Sequence, residues 1–428
     1  MTVSEKLHRY ALPNGLRVVL APDPTAPVVG VSVHYDVGFR SEPEGRTGFA
    51  HLFEHLMFQG SESLEKLAHF RHVQSSGGTF NGSTHPDYTD YFEVLPSAAL
   101  ERALFLEADR MRAPKLTEEN LRNQIDVVKE EIRLNVLNRP YGGFPWILLP
   151  PVLYKTFPNA HNGYGGFEDL EDATVADCAS FFDTYYAPSN AVLTVAGDFT
   201  VDEAKALVEK HFGDVPARPR PDRPSFAEPP PSAELRAEHP DPLAPLPAVA
   251  LGYRVPDPVT EIDGYLAHLV LAGILTDGDG SRLQQRLVYG DRLVTDVNAG
   301  CGLFGPFEAR DPDTFTITAI HSPDVAVDRV LAAVDEELDR LASAPPEAEE
   351  LAKVTARWKA SLHKEHDRLV SRTLALGSFE LMFGDPTMID ALPERIARVS
   401  AEAVSSAAKS LRPDSRAVLT VTPAGGDQ

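Results

Sequence analysis

The stretch Gly48-Phe49-Ala50-His51-Leu52-Phe53-Glu54-His55-Leu56-Met57-Phe58 constrains this chain more than any other. On an α-helix, residues four apart share a face, and the residue three along lies close beside them. His51, Glu54 and His55 therefore converge on one point. Leu52, Phe53, Leu56, Met57 and Phe58 leave little polar face, so the helix is expected to be buried. Burying two imidazoles and a carboxylate without partners costs roughly several kcal/mol, and a metal ion removes most of that cost. Two histidines suit Zn²⁺, and the neighbouring Glu54 can take a proton from a water on the metal.

A hydrolytic zinc site needs three protein ligands and an open position. The two cysteines, Cys178 and Cys301, form no CxxC pair, so the third ligand is sought among histidines and carboxylates. A long helix is expected from Thr117-Glu118-Glu119, with the apolar stripe Leu121, Ile125, Val128, Ile132 and Val136. It carries Asp126, Glu130 and Glu131. Glu131 adjoins the stripe and can point inward, while Glu130 is turned about 100° away. Spacing alone leaves the three open. His72, His85 and His161 have no ligand spacing and read as structural or solvated.

With 428 residues the chain is too long for one ordinary core, and two domains are expected. A net charge of −23 disfavours nucleic acid and anionic membranes as partners. No stretch approaches a membrane span, and the first residues begin no apolar leader, so a reducing cytoplasm is the expected location. Strands are expected at 16–22, 28–35, 88–95, 191–195 and 250–255, with an extended edge segment at 77–84. Helices are expected at 64–74, from a Ser97 cap to Met111, near 174–186, and from Asp263. Residues 216–247, with Pro229-Pro230-Pro231, read as an extended, semi-rigid linker. Beyond it the pattern restarts. Ala191-Val192-Leu193-Thr194-Val195 returns as Ala417-Val418-Leu419-Thr420-Val421, and His51-Leu52-Phe53-Glu54-His55 returns, degraded, as His268-Leu269-Val270-Leu271-Ala272. The expected domains are a metal-binding lobe at 1–215, the linker at 216–247, and a homologous lobe at 248–428 that has lost the metal ligands.

His51-x-x-Glu54-His55, the inverzincin order, resembles the pitrilysin family of zinc metallopeptidases when taken with Glu131 in Asp126-Val127-Val128-Lys129-Glu130-Glu131. Gly77-Gly78-x-x-Asn81, Asp87-Tyr88-Thr89-Asp90-Tyr91-Phe92, Tyr186-x-Pro188-x-Asn190 and Gly197-Asp198 are similar as well. The resemblance implies an α/β (α+β) fold of two homologous lobes, each a mixed or antiparallel sheet packed with helices, forming half of a clamshell chamber. It implies His51, His55 and Glu131 as zinc ligands, Glu54 as general base, and Asn81-Gly82-Ser83 as an edge strand that pairs with an unfolded peptide. Two positions depart from the family pattern. Gln124 stands where a second Glu is frequent, which alters the surroundings of the metal. Val288 and Thr295 stand where members complete in one polypeptide carry an Arg and a Tyr that hold the substrate carbonyl. Arg286, Tyr289 and Arg292 lie nearby without the matching spacing. The implied partner is a homologous chain without the metal motif, giving a heterodimer, with a homodimer as the alternative. A non-catalytic assembly subunit is the other reading.

Overall fold

The computed structural model describes residues 3–423. The first half of the chain forms β1 (His8–Ala11), β2 (Arg17–Pro22), β3 (Val28–Tyr35), β4 (Thr79–Thr84), β5 (Thr89–Pro96) and β6 (Ala191–Gly197). These pair in the order β1-β2-β6-β3-β5-β4, with β4 at one edge. Only β2 and β6 run parallel. The β-branched run in β3 places it at the centre, between β6 and β5. Its alternate residues face two different layers. Tyr35 packs on Tyr91 and Tyr186. On the other face, a Cβ at Gly30 would meet Thr373, and one at Gly377 would meet His34 and Thr194. The helix Leu369–Phe383 thus lies close against that face, where small residues admit it.

The second half forms β7 (Leu235–Asp241), β8 (Ala248–Arg254), β9 (Val294–Cys301), β10 (Thr314–His321) and β11 (Arg416–Pro423), in the order β7-β11-β8-β10-β9. The wiring repeats that of the first sheet. The last strand of each half, β6 or β11, inserts parallel to one strand and antiparallel to the next. The two copies of Ala-Val-Leu-Thr-Val fall on β6 and β11. The helix Phe49–Leu56 follows β3, as Ile262–Thr276 follows β8. The sequence echoes therefore occupy matching places in two similar α/β arrays.

The compact units are not the contiguous lobes 1–215 and 248–428. One comprises Met1–Lys129, Gly163–Pro224 and Ser361–Pro393, and the other Glu130–Asn162, Ser225–Ala360 and Glu394–Gln428. Each half lends a segment to the other's unit. The reason is local: Gly30 leaves room for Thr373 on the first sheet, and Gly252 leaves room for Leu149 on the second. The division falls inside the helix Glu118–Ile132, whose body belongs to the first unit.

Other differences are smaller. The segment 216–247 is not all linker, because Leu235–Asp241 forms β7; Pro240 is tolerated there since β7 is an edge strand. Ser97 begins a 3-10 turn, and the helix proper, Leu100–Arg112, starts from Ala99 without a side-chain cap. Around 64–74 the helix is Ala68–Ser75, preceded by Leu67 in the left-handed region.

Candidate metal centre

The helix Phe49–Leu56 starts at Gly48, whose φ is 81°. A Cβ there would stand 2.4 Å from the Tyr164 carbonyl oxygen, so only glycine permits this crossing of two backbones. The Glu42 carboxylate accepts from Gly48 N at 2.9 Å and from Ala50 N at 2.7 Å. It satisfies two of the open donors at the helix start and places negative charge on the positive end of the helix dipole. Gly166 N donates to Thr47 Oγ1, and Thr47 donates to Asp169 on the short helix Phe167–Glu171, which pins the 163–166 loop beside the histidine helix. Tyr164 on that loop stands edge-on to His51, with ring centroids 5.1 Å apart.

His51 and His55 lie one turn apart, their rings nearly perpendicular and 4.9 Å between centroids. Glu131 is on the last turn of Glu118–Ile132, just before the π-helical turn Arg133–Leu137. One donor atom from each of His51, His55 and Glu131 lies within 4.8 Å of the other two, and all three residues are half-buried. Of the three acidic candidates on that helix, Asp126 and Glu130 are exposed, and Glu130 pairs with Arg133. Two imidazoles and one carboxylate, close-set and only partly covered, fit a tetrahedral zinc ion with one position open. Gln124, two turns before Glu131, is buried and donates to Asn123.

Glu54 lies on the side of the helix that meets β4. It accepts from Thr84 Oγ1 at 2.7 Å, and Gly82 packs against its side chain. Strand alternation puts Gly82 and Thr84 on the face toward Glu54 and Asn81 and Ser83 on the other. Gly82 thus touches the proposed base, whereas Asn81 and Ser83 do not share its face. Behind Glu54 lie Tyr91 and Tyr186, whose hydroxyls are 3.1 Å apart. Burial, with the Glu54 charge adding to it, pushes both phenols up, so they stay neutral.

A second cluster, invisible to local spacing, lies in the same unit. His69, Glu93 and Glu107 bring one donor atom each within 4.8 Å of one another, all fully buried. Arg110 is buried beside them and donates to both Glu107 oxygens. Its guanidinium stacks over Tyr91 and Phe58. Burial, together with the Arg110 charge, lowers His69 to about 3, so it is neutral. Burial raises both Glu93 and Glu107. One carboxylate balances Arg110, and one proton shared by the pair completes neutrality. Glu107 takes the Arg110 donors, and the proton is held between the Glu107 and Glu93 carboxyls. The cluster is balanced without a metal.

His268, at the place matching His51, is a core residue: its ring nitrogens contact the Gly264 carbonyl at 2.8 Å and Ser410 Oγ at 3.0 Å. Val288 lies in the π-helical turn Gln284–Gly290, and Thr295 on β9 contacts the Ile320 carbonyl. Arg286 is engaged by Glu336 and Asp291. His85 pairs with Asp90 and stacks on Tyr88, and His161 stacks on Phe157.

The family model "Insulinase (Peptidase family M16)" matches residues 17–139, and "Peptidase M16 inactive domain" matches residues 172–357. The chain belongs to peptidase family M16. The first M16 model contains all three clustered donors and Glu54; the second begins beyond them. Zinc protease PqqE of Helicobacter pylori is 34% identical over 208 residues, 48% of this chain and 47% of that protein. A probable mitochondrial-processing peptidase subunit beta of Arabidopsis thaliana is 26% identical over 204 residues, 47% of this chain and 38% of that protein. The chain thus spans about half the length of the curated relatives it matches. A solved protease from Helicobacter pylori superposes with a TM-score of 0.89 at 26% identity, covering 98% of this chain and 100% of that one. Pitrilysin superposes with a TM-score of 0.78 at 19% identity, over 97% of this chain and 45% of that one, and shares the fold.

Proposed function

We propose that the chain is a zinc endopeptidase acting on unfolded peptides, with His51, His55 and Glu131 as ligands and Glu54 as general base. The observation that carries this reading is the convergence of those three donors beside a carboxylate on the same helix. Zinc held there supplies Lewis acidity to a peptide carbonyl and to a water molecule. Glu54 removes a proton from the attacking water and returns it to the leaving nitrogen. Its Oε2 is already oriented by Thr84. Strand β4, the last of its sheet, offers its outer edge to an extended peptide, a mode that depends little on side-chain sequence. Chelation should abolish cleavage of a quenched peptide, and zinc should restore it. Glu54→Gln should retain one zinc per chain and lose activity by at least about 10²-fold. Activity in that variant near the wild-type level would defeat the mechanism.

The proposed assembly is a heterodimer in which this chain is the catalytic half. Val288 has no side-chain donor and the Thr295 hydroxyl donates to the Ile320 carbonyl, so neither supplies what an Arg and a Tyr would give a developing oxyanion, where one donor is commonly worth about 10²–10³-fold in rate. A relative is itself named as a subunit of a processing peptidase. The measurement compares the purified chain alone with the chain plus a homologue that lacks the metal motif. Equal rates would rule the heterodimer out in favour of a homodimer or a self-sufficient chain.

A further inference from the structure

Strand β4 reaches Glu54 from two alternate residues. The Thr84 hydroxyl donates to Glu54 Oε2 at 2.7 Å. Two residues earlier on the same face, a Cβ at Gly82 would stand 3.1 Å from Glu54 Cγ and 3.2 Å from Oε1. One carboxylate oxygen therefore takes a hydroxyl donor, and the glycine leaves room beside the other. A glutamate side chain has three torsions and costs up to about 2 kcal/mol to order. A hydrogen bond to its charged oxygen is stronger than one between neutral groups and selects one rotamer. β4 is also the edge strand, so the element that would seat the peptide is the one that touches the base. We propose that Thr84 is the positioning residue for Glu54, and that β4 couples peptide binding to alignment of the general base. This rests on the peptidase reading above. A peptide added to the outer edge of β4 pairs its backbone and restricts its motion. The Thr84 hydroxyl, on the inner face, is restricted with it.

The test compares Thr84→Val with Thr84→Ser in the zinc-loaded chain. Valine keeps the branched shape and strand preference but removes the donor; serine restores the donor. Expected for Thr84→Val is a kcat lower by about 10- to 100-fold, KM within about threefold, and unchanged zinc content, with Thr84→Ser recovering most of the rate. The second readout needs no activity. In a crystal structure of metal-free Thr84→Val, the Glu54 carboxylate should leave the position it holds in the wild type and in Thr84→Ser. Unchanged kcat in Thr84→Val, a serine variant as slow as the valine one, loss of zinc from Thr84→Val, or an unmoved Glu54 would each overturn the role. A wild-type chain that cleaves no peptide would instead defeat the peptidase reading, while the Glu54 position would still decide whether Thr84 holds it.

Discussion

At the scale of single residues, the buried quartet of His69, Glu93, Glu107 and Arg110 makes a prediction separate from the metal. The ordinary pKa of a glutamate is 4.5; burial raises Glu107 to about 8 and also moves Glu93 upward. Between those values the folded chain holds a proton that the unfolded chain has released. The pair's own contribution to stability is fully present below about pH 4.5 and falls as pH rises toward 8. Glu93→Gln replaces the shared proton with a fixed N–H donor. Its unfolding free energy from urea titration should fall less than the wild type's between about pH 5.5 and about pH 8.5, by a difference on the order of 2 kcal/mol. Parallel curves would mean that the pair retains no proton. This quartet could not be read from the sequence, because Glu93 and Glu107 meet through the packing of a strand on a helix. The metal motif was legible because its three residues lie within one and a half helical turns. Spacing left Glu131 as one of three acids and the family resemblance implied it; with Val128 and Ile132 buried, the rotation of the helix leaves Asp126 and Glu130 exposed and brings Glu131 beside the two histidines.

At the scale of elements, the histidine helix depends on the backbone crossing at Gly48 and on the Glu42 carboxylate. Gly48→Ala must push Tyr164 away and accept a left-handed alanine, a loss of about 2 kcal/mol or more. The helix carries two of the three donors, so zinc affinity should fall together with the melting temperature. A stable variant with wild-type zinc affinity would show that the crossing is adaptable. Glu42→Ala removes the acceptor for two backbone N–H groups and should cost about 1–2 kcal/mol in chemical denaturation, a value comparable to losing a helix cap. The strands β2, β3, β5, β6, β8 and β11 were legible from β-branched runs. β7 was not, since His239-Pro240 breaks the pattern and only the parallel partner β11 makes a strand of it.

At the scale of the whole molecule, the halves were legible as a duplication, but the exchange of segments between units was not. Nothing local in Leu369–Phe383 says which sheet it covers. The exchange predicts that residues 1–224 alone will not fold, although they contain the metal motif and all of the first sheet. That fragment lacks 361–393, and the face formed by Gly30, His34 and Thr194 would be left open. Its circular dichroism melt should lack a cooperative transition, and supplying residues 361–393 as a peptide should restore one. A cooperative melt for the fragment by itself would show that the exchanged helix is dispensable. For a ribosome making this chain from its first residue, the order of events follows. The histidines emerge first, and the helix Leu369–Phe383 that covers their sheet follows only after most of the second sheet has been made. A chain whose synthesis stops before Leu369 therefore carries both histidines and Glu131 beside a sheet with one face uncovered, and the donor cluster has to wait for a helix encoded far from it.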